Sequence, residues 1–189
     1  MDKQRQKDIR YLRMARIWAE NSYAVRLKVG CLVVSKEDNI ISDGYNGTPS
    51  GFENVCEKVT DERMQETIEP LAEELQRKEM EAFLKTGRLQ VVSKPYVLHA
   101  EANALTKLAR STQSSVGATL YATDMPCMEC SKLIIQAGIR RVVYERPYRI
   151  TDGVALLQRA GIEVVNIPTK VIDEETKLAE QARNHEADE

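Results

Sequence analysis

His99, Glu101, Cys127 and Cys130 are the residues of this chain whose types and spacing can do chemistry together. One imidazole and two thiolates form a donor set that suits Zn2+ held tetrahedrally, with the fourth position left to water. Zinc brings the pKa of such a water to roughly 7, so hydroxide is available at neutral pH. Glu101, two residues beyond the imidazole, is placed to move the protons. Cys127 and Cys130 alone could be a redox pair or half of a structural zinc site, because Cys-x-x-Cys by itself is ambiguous. A redox pair leaves His99 without a task. A closed structural site needs a fourth ligand, and only Cys31, Cys56 and His185 remain. A reactive, open zinc site is therefore the expectation.

Two helix starts must position these groups. The pattern predicts a helix opening at His99 and running through Ala109, apolar at Ala102, Leu105 and Leu108, with Glu101 in its first turn. Free N–H groups there favour an anion. A second helix is predicted from Pro126-Cys127 to Ala137, stopped by Gly138, after a buried strand over Thr119 to Ala122.

Upstream, residues 4 to 21 read as an amphipathic helix with Tyr11, Met14 and Trp18 on one face, Ile9, Leu12 and Ala19 beside it, and Arg10, Arg13 and Arg16 on a solvated side. Val29 to Ser35 and Ile40 to Tyr45 form a hairpin around Lys36-Glu37-Asp38-Asn39, which makes Cys31 a core residue. The stretch from Gly44 to Gly51 is a loop dense in turn formers and a candidate ligand contact. Residues 57 to 87 are heavily charged, with Met64, Ile68, Leu71, Leu75 and Phe83 at helical spacing. Pro70 divides them into two helices, or one broken near Glu69. Leu89 to Ser93 is a short extended piece. A strand over Arg141 to Tyr144, a helix over Asp152 to Ala160 and a strand over Glu163 to Ile167 complete the domain, and the intervening helix makes the final strand pair parallel. Residues 170 to 189 read as a polar frayed helix or disordered tail.

The chain has 189 residues, a formal charge of −2 and four cysteines, which fits one cytoplasmic α/β domain in a reducing compartment. No apolar run approaches the ~18 residues of a membrane span, and no signal-peptide pattern opens the chain. The acidic balance argues against a broad nucleic-acid footprint, whereas a mononucleotide needs only a few cations.

His99-Ala100-Glu101 followed by Pro126-Cys127-Met128-Glu129-Cys130 is the signature of zinc nucleobase deaminases. With V-G-C-L-V-V, G-Y-N-G-T-P-S-G, Y-V-L-H-A-E-A-N-A and K-L-I-I-Q-A-G-I, the chain resembles the deoxycytidylate (dCMP) deaminases of the cytidine deaminase superfamily over residues 8 to 56 and 95 to 168. The resemblance implies a three-layer α/β/α fold with a mixed five-stranded sheet, here residues 1–168 with a helical insert at about 57–94, followed by the 169–189 tail. It implies a homohexamer and conversion of dCMP to dUMP for thymidylate synthesis. It further implies activation by dCTP, with Mg2+, and inhibition by dTTP. His99, Cys127 and Cys130 resemble the ligands of one catalytic Zn2+ and Glu101 the proton shuttle; Asn46 resembles a sugar reader, Tyr148 a lid residue, and Ser22 and Arg26 phosphate contacts. Many members also carry a structural zinc. Here Cys56 matches one of its ligands, Ala24 stands where some members have Cys, and no Cys or His occurs between 57 and 98. Rival readings within the superfamily are deamination of tRNA adenosine or of a riboflavin-pathway pyrimidine. A rival outside it is a non-catalytic zinc-stabilised module, which would not need Glu101.

Overall fold

The computed structural model describes residues 2–87 and 89–187. One interior strand, β1 (Gly30–Val34), is buried at every position, as a strand covered on both faces must be. β2 (Ile40–Tyr45) returns antiparallel beside it, with Cys31 opposite Gly44. The other edge of β1 pairs antiparallel with β5 (Thr119–Asp124), and β6 (Arg141–Arg146) and β7 (Glu163–Asn166) follow in parallel. The sheet order is β2-β1-β5-β6-β7. Three strands, not only the last two, run parallel, because the helix after Cys127 is a crossover just as the next one is.

Alternation along the strands builds two cores. Cys31, Val33, Leu120, Ala122 and Val142 face α4 (Ala100–Leu108), α5 (Met128–Gln136) and α6 (Asp152–Arg159). Leu32, Val34, Tyr121 and Val143 face α1 (Lys3–Ala19) and α7 (Thr169–Ala187). The result is the expected three-layer α/β/α arrangement. No described helix is long and apolar enough to cross a membrane.

α1 is rotated from the face read in the sequence. Asp8, Ile9, Leu12, Ala15 and Ala19 are buried, while Met14 and Trp18 remain 42% and 37% exposed. Arg16 is not on a solvated face: its guanidinium forks onto Glu145, with Nε and Nη2 each 2.8 Å from a carboxylate oxygen, and Nη1 donates to Asp173 at 2.6 Å. Glu145 is buried and also accepts from the Thr169 hydroxyl at 2.7 Å. The partners that recruit Arg16 lie on β6 and α7, beyond the reach of helical periodicity. Arg16→Ala should strand the Glu145 carboxylate and destabilise the protein by about 2–3 kcal/mol in urea unfolding. That is less than the ~3–5 of a wholly buried pair, since the Arg16 side chain is 28% exposed. A change below about 0.5 kcal/mol, the scatter of surface substitutions, would show that the fork contributes nothing.

The same contacts correct the reading of the tail. α7 is helical, and its first turns belong to the core, with Ile172 fully buried in the α1-side cluster. Residues 188 and 189, like residue 88 in the insert, lie outside the described residues.

The insert is two helices on a ribbon, and residues 57–59, expected to be helical, form a strand of that ribbon because they pair with the returning segment before Lys94. β3 (Glu57–Val59) and β4 (Val91–Ser93) pair antiparallel, and α2 (Glu62–Ile68) and α3 (Glu73–Lys85) lie between them, separated at Pro70 as expected. Val55, Val59, Ile68, Met80, Leu89 and Val91 form its core, with Met64, Phe83 and Leu84 against it. Leu75 departs from the expected stripe and is 45% exposed. The break at Pro70 restarts the helical register, which turns Gln76 and Met80 inward instead.

Candidate active site

β2 and the loop after it seat α4. A Cβ on Gly44 would lie 2.2 Å from the Ala100 carbonyl oxygen, so only glycine lets the strand pass the helix this closely. Ser42 Oγ donates to the Ala104 carbonyl at 2.7 Å, and Asn103 Nδ2 to the Tyr45 carbonyl at 2.8 Å. Gly47 and Leu98 exchange backbone hydrogen bonds of 3.1 and 2.8 Å, which fixes the residue before His99.

His99 is the N-cap of α4, with extended backbone and no side-chain capping bond, so its ring is available to a partner. Cys127 is the N-cap of α5 and accepts the Cys130 N–H on its sulfur. Pro126 stands one residue before that cap, not inside the first turn. At Gly153, a Cβ would meet the Pro126 carbonyl oxygen at 2.5 Å, so α6 braces this segment from behind. Two helix N-termini thus converge.

His99 Nδ1 lies 3.4 Å from Cys127 Sγ and 3.5 Å from Cys130 Sγ. Tetrahedral zinc with N and S ligands separates its donors by roughly 3.5 Å, so the cluster fits the ion. Among the described residues it is the one group of three metal-capable side chains gathered this way, its ligand atoms all within 4.8 Å of one another. Protonation states point the same way. Hydrogen bonds from the Cys130 thiol and His99 push the Cys127 thiol down to about 3, and its thiolate, with burial, pushes Cys130 far up. Two thiolates this close need a cation between them. The Cys127 thiolate also raises His99. Glu101 is 3% exposed, and burial raises its carboxyl above the ordinary carboxylate range, as suits a group that must hold and release a proton.

A cleft of about 620 Å3 opens over this cluster, lined by Arg26, Asn46, Glu57, Lys94, Asp124 and Tyr148 among others. Asn46 is on the wall, its Oδ1 accepting the Val29 N–H and its Nδ2 donating to the Leu27 carbonyl, both at 2.8 Å. Arg26 and Tyr148 are exposed at the lip. Ser22 does not line the cleft: it is buried behind the wall, its hydroxyl bonded to the Asn46 carbonyl at 2.7 Å and to the Ala24 N–H. It shapes the loop that presents Asn46.

Three lining groups were missed in the sequence. Glu57 and Lys94 sit in a charged segment where no local pattern singles them out. Asp124 ends β5 and is held by Arg146, whose Nε donates to Oδ1 at 3.1 Å. Cys31 is buried as expected. Cys56 is buried too, and burial pushes its thiol up to about 11.

Residues 5–146 match the family model described as the cytidine and deoxycytidylate deaminase zinc-binding region. The deoxycytidylate deaminase of Enterobacteria phage T4 is 34% identical over 173 residues, covering 84% of this chain and 89% of its own. The crystal structure of dCMP deaminase from the cyanophage S-TIM5, in complex with dCMP and dUMP, has 35% identity and a TM-score of 0.65, covering 88% of this chain and 99% of its own. A diaminohydroxyphosphoribosylaminopyrimidine deaminase/5-amino-6-(5-phosphoribosylamino)uracil reductase from Thermotoga maritima is similar in fold at 22% identity and a TM-score of 0.57, covering 92% of this chain and 39% of its own.

Proposed function

Because this chain belongs to the cytidine and deoxycytidylate deaminase zinc-binding family, and its relatives include named deoxycytidylate deaminases, we propose that it hydrolyses dCMP to dUMP and ammonia. The observation that carries the reading is buried Glu101 beside the His99, Cys127 and Cys130 cluster, at the floor of a cleft of nucleotide size.

His99, Cys127 and Cys130 would hold the zinc. When bound, the metal acts as a Lewis acid that acidifies water at neutral pH. Glu101 takes a proton from the attacking water and passes it to N3 of cytosine as the new C–O bond forms at C4. It then transfers the remaining hydroxyl proton to the exocyclic amine, the C4–N bond breaks, and ammonia leaves uracil behind. The buried floor excludes bulk water from this exchange, which keeps Glu101 the proton carrier. Asn46 reads the sugar, Ser22 supports it from behind, and Tyr148 closes over the nucleotide.

Arg26 at the lip is the phosphate contact. The protein should therefore prefer dCMP to deoxycytidine. Arg26→Ala should raise KM for dCMP by roughly 10- to 100-fold, the worth of a charge-assisted hydrogen bond, with little change for deoxycytidine. Ammonia release from both substrates checks this, and equal changes for the two would remove Arg26 from recognition. Activation by dCTP with Mg2+, inhibition by dTTP and assembly as a homohexamer belong to the same proposal. Adding each nucleotide to that assay and weighing the particle by light scattering test them.

A further inference from the structure

The wall that carries Arg26 runs from the end of α1 to the start of β1 without helix or strand of its own, so its shape must be imposed from outside. Much of that shape comes from the insert. Glu57 of β3 is 2% exposed and accepts the Val25 N–H on Oε2 at 3.2 Å and the Arg26 N–H on Oε1 at 3.3 Å. Val25 packs into the insert core beside Val59, Ile68 and Met80. Arg77 of α3 lies over the Tyr23 ring, 4.9 Å from its centroid, and donates to the Asn54 carbonyl at 3.0 Å. Tyr23, Val25 and Arg26 are thus each gripped by the same module.

Burying an ionised carboxylate is unfavourable unless its acceptor sites are filled. Val59, two residues along the ribbon and on the same face, shows that an apolar residue suffices for packing there. Glu57 adds what an apolar residue cannot. Two consecutive N–H groups bonded to one carboxylate fix the peptide plane between Val25 and Arg26, and that plane sets the direction in which the Arg26 side chain leaves the wall. Both Glu57 and Arg26 line the cleft.

We propose that the 57–94 insert is a clamp for substrate recognition, in which Glu57 is a positioning residue that orients Arg26 toward the 5′-phosphate. This rests on the reading of Arg26 as the phosphate contact given above. Glu57 itself touches no reacting atom.

Steady-state kinetics of the intact protein with dCMP and deoxycytidine, for Glu57→Gln, Arg77→Met and Arg26→Ala, test it, with zinc content and thermal midpoint measured alongside. In Glu57→Gln the amide turns an N–H against a backbone N–H. The preference for dCMP should fall about tenfold, the worth of one such hydrogen bond, through KM for dCMP and not through kcat. Arg77→Met, outside the cleft, should lower the preference roughly threefold by releasing Tyr23. Equal changes for the two substrates, a fall in thermal midpoint alone, or tighter dCMP binding by Glu57→Gln would overturn the clamp. If Glu57→Gln does not fold, Arg77→Met decides. If Arg26→Ala leaves the preference intact, the phosphate reading has failed; if it removes the preference and both clamp variants retain it, only the clamp has.

Discussion

Glu101→Gln should keep the fold and about one zinc per chain, the stoichiometry of a single three-ligand site, while losing on the order of a thousandfold or more of its dCMP turnover. Glutamine has the same shape, so it fits a site that leaves glutamate 3% exposed. The three ligands are untouched. What disappears is proton transfer: an amide oxygen does not accept the proton of the attacking water at neutral pH, and N3 and the amine then receive none. Burial holds the Glu101 carboxyl above its ordinary range, which makes it a better base than a solvated carboxylate and enlarges the loss. Metal analysis and turnover on the same preparation decide the matter. Turnover within tenfold of the parent would move the proton shuttle to another group.

Gly44→Ala should be among the most destabilising single-methyl additions in the chain, about 3 kcal/mol or more, at the upper end of overpacking. The added Cβ would meet the Ala100 carbonyl oxygen at 2.2 Å and the Ala104 nitrogen at 2.6 Å. Both are backbone atoms, so no side chain can rotate away. Relief requires α4 to move off β2, and His99 and Glu101 move with it. Thermal melting should show the lost stability, and zinc affinity should fall in the fraction that still folds. The same change at Gly51, where a Cβ meets nothing but φ is +90°, is the control: it should act through local backbone strain alone and leave zinc affinity unchanged. Equal zinc affinity in both variants would show that β2 does not set the position of α4.

Much of this protein was legible one segment at a time. The buried apolar run at Val29 to Ser35, the helix starts near His99 and Cys127 and the break at Pro70 are decided by rules that act over a few residues, and the structure places each within about a residue of its expected position. The metal-capable cluster belongs to this class, because Cys127 and Cys130 share a helix turn and His99 stands two residues from Glu101 on another. Arg16 was misread for the opposite reason. Its partners lie 129 and 157 positions away, and nothing in its neighbourhood distinguishes it from Arg10 or Arg13.

By itself, then, the sequence pointed to the five strands of the main sheet, the helix starts, the metal-capable cluster and the carboxylate proposed to carry protons, since each depends on neighbours a few residues apart. The tertiary structure alone decided which face of α1 is buried, that α7 docks through Ile172, that α3 turns Met80 inward, and that Glu57 grips Val25 and Arg26 across 32 and 31 positions. Such pairings are set by how packed layers bring distant segments to one place, where a buried charge must find a partner or remain desolvated.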